Sequence, residues 1–184
     1  MSPRARKICI VGGRSVGKSS LTVQYCEEHF VESYYPTIEN QFSKSIRFKG
    51  QDFEIEILDT AGQDEFSIMN QKHLIGVHGY VLVYSITSRS SFEMIRVISD
   101  KILNSTGTDS VPMVLVGNKS DLAGSQRHVE ELEGRALAHE MGCGFVETSA
   151  RNNENVAKCF EVLIQEVEKT NNPASNDQEK CVVM

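Results

Sequence analysis

Gly12-Gly13-Arg14-Ser15-Val16-Gly17-Lys18-Ser19 decides how the rest of the chain is read. Its spacing is glycine, four residues, then Gly-Lys-Ser. The apolar run Ile8-Cys9-Ile10-Val11 precedes it, and a helix-compatible run from Ser20 to about Glu28 follows. Strand, glycine loop and helix in that order form the context in which this spacing holds phosphate. Glycines let backbone N–H groups turn inward on phosphate oxygens, because no Cβ blocks the approach. The helix adds its unpaired N-terminal N–H groups and partial positive charge at the same place. Lys18 is expected on the terminal phosphates and the Ser19 hydroxyl on Mg²⁺. The alternative is a glycine-rich turn with an incidental lysine, which the flanking elements disfavour.

The 184 residues suffice for one domain with a single core. An apolar fraction of 40% suits a globular chain, and no apolar run approaches the ~20 residues that span a bilayer. Nineteen basic residues against 25 acidic give a formal charge of −6, which argues against nucleic acid as a partner. Arg4, Arg6 and Lys7 precede an apolar run too short for a signal peptide, and no glycine follows Met1 for N-myristoylation. Five cysteines, Cys9, Cys26, Cys143, Cys159 and Cys181, are widely spread without C-x-x-C spacing. Neither a disulfide framework nor a zinc site is expected, and the implied compartment is reducing. Cys9 and Cys159 fall in apolar patterns and read as buried small hydrophobes.

Downstream of the first helix, Phe30 to Asn40 contains Pro36 and reads as an extended, exposed loop. Gln41 to Lys49 alternates, with Phe42, Ile46 and Phe48 on one face, as a half-buried strand does. Lys49-Gly50-Gln51 is a tight turn, and Phe53 to Leu58 is the return strand. The continuous apolar runs Tyr80 to Tyr84 and Met113 to Val116 suit parallel strands covered on both faces. Ser90-Ser91-Phe92-Glu93 reads as a capping box opening a helix whose buried face is Phe92, Ile95, Ile98 and Ile102. Glu130 to Met141 is a further helix, stopped by Gly142. Phe145 to Glu147 is the last strand, and Asn153 to about Lys169 the last helix, with Val156, Phe160, Leu163, Ile164 and Val167 on one side. The expected fold is α/β: a six-stranded, mostly parallel sheet with one antiparallel strand, flanked by five helices. Thr170 to Lys180 is polar and reads as a solvated linker.

Three further motifs lie at strand ends. Asp59-Thr60-Ala61-Gly62-Gln63 follows the return strand. A carboxylate there can hold Mg²⁺ through a bound water, the Gly62 N–H can meet a γ-phosphate, and Gln63 can orient an attacking water. Read alone it is a weak signal whose value comes from lying downstream of the phosphate loop, which disfavours the alternative of an Asp-containing turn. Asn118-Lys119-Ser120-Asp121 follows the strand from Met113. Asp121 can accept from both N–H groups of guanine, which adenine cannot match; Lys119 can lie along the nucleotide and Asn118 can tie loops together. In Glu147-Thr148-Ser149-Ala150 the Ala150 N–H can meet the guanine oxygen, although a plain strand-to-helix turn explains this stretch almost as well.

The order and spacing of these four motifs, with the C-terminal Cys181-Val182-Val183-Met184, resemble the Ras superfamily of small GTPases over residues 7 to 170. Within it the chain resembles the Rheb branch, in a fungal form. The stretches that suggest this are Gly13 to Ser20, Tyr35 to Asn40 and Asp59 to Glu65. The resemblance implies a single P-loop G domain at 7–170, an N-terminal extension at 1–6 and a flexible tail at 171–184. It implies a monomeric GTPase that binds GTP or GDP through Gly13, Arg14, Ser15, Val16, Gly17, Lys18, Ser19, Ser20, Val31, Tyr34, Thr37, Gly62, Asn118, Lys119, Asp121, Ser149 and Ala150. Mg²⁺ would be held by Ser19, Thr37 and Asp59. Hydrolysis would involve Gln63, Lys18, Tyr34 and Arg14. Thr37 would sense the γ-phosphate, 34–42 would form the effector surface and about 60–72 the second switch. The partners implied are the TOR kinase complex as effector, a tuberin-type GAP and a prenyltransferase.

Arg14 departs from most of the superfamily, where a small glycine sits beside the γ-phosphate. A long side chain here is expected to crowd Gln63 or an incoming arginine finger and so to slow hydrolysis. A finger supplied in cis by Arg14, or a merely solvated charge, are the competing readings. Tyr34 either covers the nucleotide and restrains hydrolysis or packs with Tyr35. Cys181 opens a C-a-a-X sequence whose final Met favours farnesylation. With no basic cluster or second cysteine upstream, one lipid predicts exchanging attachment to the cytoplasmic face of endomembranes with a cytosolic pool. Two other classes compete: a nucleotide phosphotransferase, for which no Arg-rich lid is visible, and a scaffold locked on GTP.

Overall fold

The computed structural model describes residues 2–30, 39–62 and 74–171. β1 (Arg4–Gly12) leads through the glycine loop into α1 (Lys18–Glu27). β2 (Glu39–Phe48) and β3 (Gln51–Thr60) form a hairpin, followed by β4 (Gly79–Ser85), α2 (Arg89–Thr106) and β5 (Met113–Asn118). A 3-10 turn (Ser120–Leu122), the four-residue α3 (Ala123–Gln126), α4 (Glu131–Met141), β6 (Gly144–Glu147) and α5 (Val156–Asn171) complete the order. The six strands lie in the order β2-β3-β1-β4-β5-β6. Only β2 runs antiparallel to its neighbour. The expected α/β sheet with five helices is therefore the fold observed.

Both faces of the sheet are buried, as parallel strands require. Alternate residues of β1, Ile8 and Ile10, join Val81, Val83, Val114 and Val116 under α1 and α5. Tyr25 of α1 and Phe160 of α5 stack there, centroids 4.0 Å apart and nearly parallel. The intervening residues, Cys9, Val11, Leu82 and Leu115, face Ile95, Ile98 and Ile102 of α2 and Leu137 of α4. Every residue of β4 and β5 is buried, which is why their sequences are apolar without alternation. β2 shows the reverse. Phe42, Ile46 and Phe48 are half-buried beneath the sheet, with Lys44 on the same side over the Tyr25 ring. The hairpin turns on Lys49 and Gly50, both at positive φ, with Phe48 paired to Gln51.

Of the boundaries that differ from the sequence reading, three have a clear local reason. α2 is capped by Ser88, not Ser90: Ser88 is extended, and its hydroxyl accepts from the Ser91 N–H at 3.3 Å. α5 begins at Val156 rather than Asn153, because Asn153 and Asn155 adopt positive φ and Ser149 and Glu154 exchange two backbone hydrogen bonds. β1 begins at Arg4, so residues 4–6, set apart as an extension, are strand residues paired with β3. α4 lies where the sequence places it, with Glu130 as cap and Gly142 at φ 71 ending it. Cys9 and Cys159 are buried, as expected.

Candidate functional site

The C-terminal ends of β1, β3, β5 and β6 bring four loops together. At the first, Gly17 takes φ 98, and a Cβ there would come 2.2 Å from Asn118 Nδ2. Glycine is required on both counts. Lys18, the first residue of α1, turns back so that Nζ donates to the Gly13 carbonyl at 2.7 Å. Its ammonium is buried, and desolvation pulls its pKa down to about 8 despite the nearby Asp59 charge. Ser19 and Ser20 follow on α1, both half-buried, and Ser15 is held at φ 60.

β3 ends with Asp59 facing this loop. The Ser19 hydroxyl donates to Asp59 Oδ2 at 2.5 Å. Asp59 Oδ1 is buried and has no hydrogen-bond partner among the described residues. Burial raises its carboxyl pKa, against the lowering effects of Ser19 and Lys18. An orphaned carboxylate oxygen beside a hydroxyl is a hard-oxygen donor set, and these two residues fit a Mg²⁺ ion. Gly62 lies directly against Arg14: a Cβ on Gly62 would approach Arg14 Cγ to 2.5 Å and Cα to 2.8 Å. Arg14 is exposed but spans the gap between the first two motifs.

The other two loops are joined by side chains. Asn118, buried at the end of β5, donates from Nδ2 to the Val16 carbonyl at 2.9 Å. Its Oδ1 accepts from Thr148 Oγ1 at 3.0 Å and from the Ala150 N–H at 3.3 Å. One amide thus binds the glycine loop to the loop after β6. Lys119, at φ 71, extends along the same seam to the Ser15 carbonyl at 2.8 Å. Ser149 Oγ donates to Asp121 Oδ1 at 2.8 Å. Thr148 and Gln24, whose Nε2 donates to the Ala150 carbonyl at 2.8 Å, were given no role by sequence reasoning. Thr148 lay in a motif already singled out; nothing in the helical pattern of α1 marks Gln24. Val31, Tyr34, Thr37, Gln63 and Cys181 lie outside the described residues, as do most of the proposed switch segments. Among the described residues no cluster of three His, Cys, Asp or Glu side chains could hold a separate metal.

A doubly covered α/β sheet with a phosphate loop at its central strand, and with partner loops on the following strand ends, defines a P-loop nucleotide-binding protein. The sequence model of the Ras family matches residues 7–169, and the chain belongs to that family of small GTPases, enzymes that hydrolyse GTP. It is similar to the GTP-binding protein rhb1 of Schizosaccharomyces pombe, 64% identical over 185 residues covering all of both chains. The small monomeric GTPase RhbA of Aspergillus fumigatus is 60% identical over all of this chain and 98% of that one. The GTP-binding protein Rheb of Homo sapiens is 48% identical over 98% of each. The resemblance to the Rheb branch is thereby supported.

Proposed function

We propose that this GTPase is a switch of the Rheb type. It binds GTP or GDP with Mg²⁺ across the four loops, hydrolyses GTP slowly, and in its GTP form engages the TOR kinase complex. The observation that carries the nucleotide reading is the convergence on one edge of the sheet of a buried lysine, an orphaned aspartate oxygen and an amide-tied base loop. Gly13 to Ser20 would wrap the phosphates, with Lys18 released from Gly13 to meet them. Asp121 would read the guanine edge, flanked by Lys119, Ser149 and Ala150. Ser19 and Asp59, with Thr37, would hold the metal, which when bound neutralises phosphate charge. Val31 and Tyr34 would line the nucleotide, and Gln63 would position the attacking water. Effector recognition would fall to 34–42 and switching to about 60–72.

Slow hydrolysis rests on Arg14. Its stem packs on Gly62, the residue before Gln63, which supports the reading that the side chain crowds Gln63 or an incoming arginine finger. A finger accelerates hydrolysis by about 10³–10⁵, so even partial exclusion dominates the rate. Arg14→Gly is expected to hydrolyse GTP at least several-fold faster in single turnover; an unchanged rate leaves Arg14 no part in restraint. The GTP-locked scaffold remains a second reading on the same contact. The bound GTP:GDP ratio with and without a tuberin-type GAP separates the two, since a scaffold stays on GTP in both.

The domain would comprise one G domain followed by a tail, 171–184, farnesylated by a prenyltransferase at Cys181. Among the described residues no helix is long and apolar enough to cross a membrane. A single farnesyl binds reversibly, which supports exchange between endomembranes and cytosol; the protein would act as a monomer, with no nucleic-acid partner. Retention on plasma membrane through a mild salt wash would refute that placement. Nucleotide released by denaturing the purified protein tests the whole reading. Guanine nucleotide at near one equivalent is expected, and an empty chain or an equal fill of adenine nucleotide removes it.

A further inference from the structure

Below the base-facing half of the site lies an ion pair that no part of the nucleotide reading uses. Arg127 follows α3; its Nη2 donates to Glu147 Oε1 at 2.8 Å and its Nη1 to Glu147 Oε2 at 2.9 Å. Nη1 also donates to the Val129 carbonyl at 2.8 Å. This two-pronged geometry is the one a guanidinium makes with a carboxylate and a lysine cannot. The two side chains are 17% and 14% exposed. The Arg–Glu pairs on the outer face of α2 and α4, Arg89–Glu133 and Arg96–Glu140, are 38% to 60% exposed. Water screens those two, and pairs of that kind contribute little. The Arg127–Glu147 pair is largely withdrawn from it.

Its place in the chain gives it a purpose. The segment leaving β5 carries Asn118, Lys119 and Asp121, then passes through the 3-10 turn and α3 to end at Arg127. Glu147 is the last residue of β6, and the next three residues carry Ser149 and Ala150. The pair therefore joins the end of one wall of the base site to the start of the other. Both anchors are fixed. The N–H groups of His128 and Val129 both donate to the Ile86 carbonyl, at 2.8 and 3.1 Å. The Glu147 carbonyl accepts from Asn155 Nδ2 at 3.0 Å, and the Thr148 N–H donates to the Gly117 carbonyl at 2.9 Å. A hydrogen-bonded support of this kind, held on rigid elements, sets the spacing of the groups it carries.

We propose that Arg127 is a positioning residue: its clasp on Glu147 holds the Asp121 wall and the Ser149–Ala150 wall at the separation a guanine base requires, and thereby sets how slowly nucleotide leaves. This rests on the guanine-nucleotide reading above. The phosphate half does not depend on the clasp, so dissociation and base discrimination change while chemistry on bound GTP does not.

The test uses the full chain loaded with fluorescently labelled GDP. Arg127→Ala is expected to release it about tenfold faster, the scale of losing one well-placed charged hydrogen-bond pair. Inosine diphosphate lacks the amino group that Asp121 would read, so the preference for GDP over inosine diphosphate is expected to shrink in the variant. Single-turnover hydrolysis of bound GTP should stay within about twofold. Arg127→Lys keeps the charge but loses the fork, so it should fall between the two, and it carries the same measurements if Arg127→Ala does not fold. Faster release with an unaltered GDP preference would make the pair a general stabiliser and overturn the proposal, as would unchanged release. Failure of the wild-type protein to prefer guanine at all would instead sink the nucleotide reading.

Discussion

The two halves of the site are held together by different means. Around the glycine loop the polar groups are buried and, among the described residues, poorly matched: Lys18 gives its proton bonds to a single backbone carbonyl, and Asp59 keeps one oxygen without a partner. Around Asn118 the polar groups are buried and matched. The amide is used on both ends, Thr148 and Ser149 each find an acceptor, and Lys119 reaches Ser15. A mismatched half gains when a polyanion and a cation arrive, because they satisfy groups that folding has already stripped of water. A matched half gains little and serves instead as a preset gauge for the base. On the proposed function, ligand dependence would be concentrated at the phosphates and rigidity at the base.

The largest effect is expected where the matched half is cut. Asn118→Ala removes both ends of the amide and leaves the Val16 carbonyl, the Thr148 hydroxyl and the Ala150 N–H buried without it. Each orphaned group costs about 1–3 kcal/mol, and the groups belong to one network, so the costs do not simply add. A loss of about 3 kcal/mol in urea unfolding of the nucleotide-free protein is expected. A loss below about 1 kcal/mol would mean that the network is not what joins the loops.

Lys18 supplies the opposite case. Its folded pKa of about 8 lies below the unfolded value of 10.5, so the unfolded chain holds the proton more tightly. Stability from this group is then complete above 10.5 and is lost as the pH falls through about 8. Nucleotide-free protein should become more stable between those values, by roughly 3 kcal/mol from the shift alone. Lys18→Met removes the titration, so the difference between wild-type and variant unfolding curves isolates it. A flat difference would mean that Lys18 is already satisfied and that the two halves do not differ.

Much of this was readable in the chain because it is carried by local patterns. The glycine spacing, the alternation of β2, and the unbroken apolar runs of β4 and β5 each follow from one element's own geometry. What could not be read depends on partners far apart in sequence. Gln24 meets Ala150 across 126 residues, and Arg127 meets Glu147 across 20. Nothing in the helical repeat of α1 or the turn after α3 announces either contact. The start of α5 failed for a different reason: asparagine tolerates positive φ, so Asn153 and Asn155 continue a loop where their neighbours' pattern suggests a helix. The four motifs mark where the ligand would touch, and the supports behind them are invisible until the fold assembles them.

Tyr84 is the exception inside the matched half, and it sharpens the contrast. Its ring is fully buried and meets Phe92 edge-on at 4.9 Å, yet its hydroxyl has no hydrogen-bond partner among the described residues. The oxygen fits a slot between Gly117 and Gly134, where an added Cβ would come within 2.7 and 2.4 Å of it. Gly117 immediately precedes Asn118, so this unmatched group sits directly behind the best-matched one. Burial raises the Tyr84 pKa, with Glu147 adding to the rise, so the phenol stays protonated and keeps a donor with nothing to receive it. Tyr84→Phe deletes that donor and little else. Stability should be unchanged or higher by up to about 1 kcal/mol, and GDP release should be unaltered, since no atom of the base half is moved. If thermal unfolding shows the variant less stable by 1 kcal/mol or more, the hydroxyl does have a partner. The base half would then be satisfied throughout, and the mismatch at Lys18 and Asp59 would belong to the phosphate half alone.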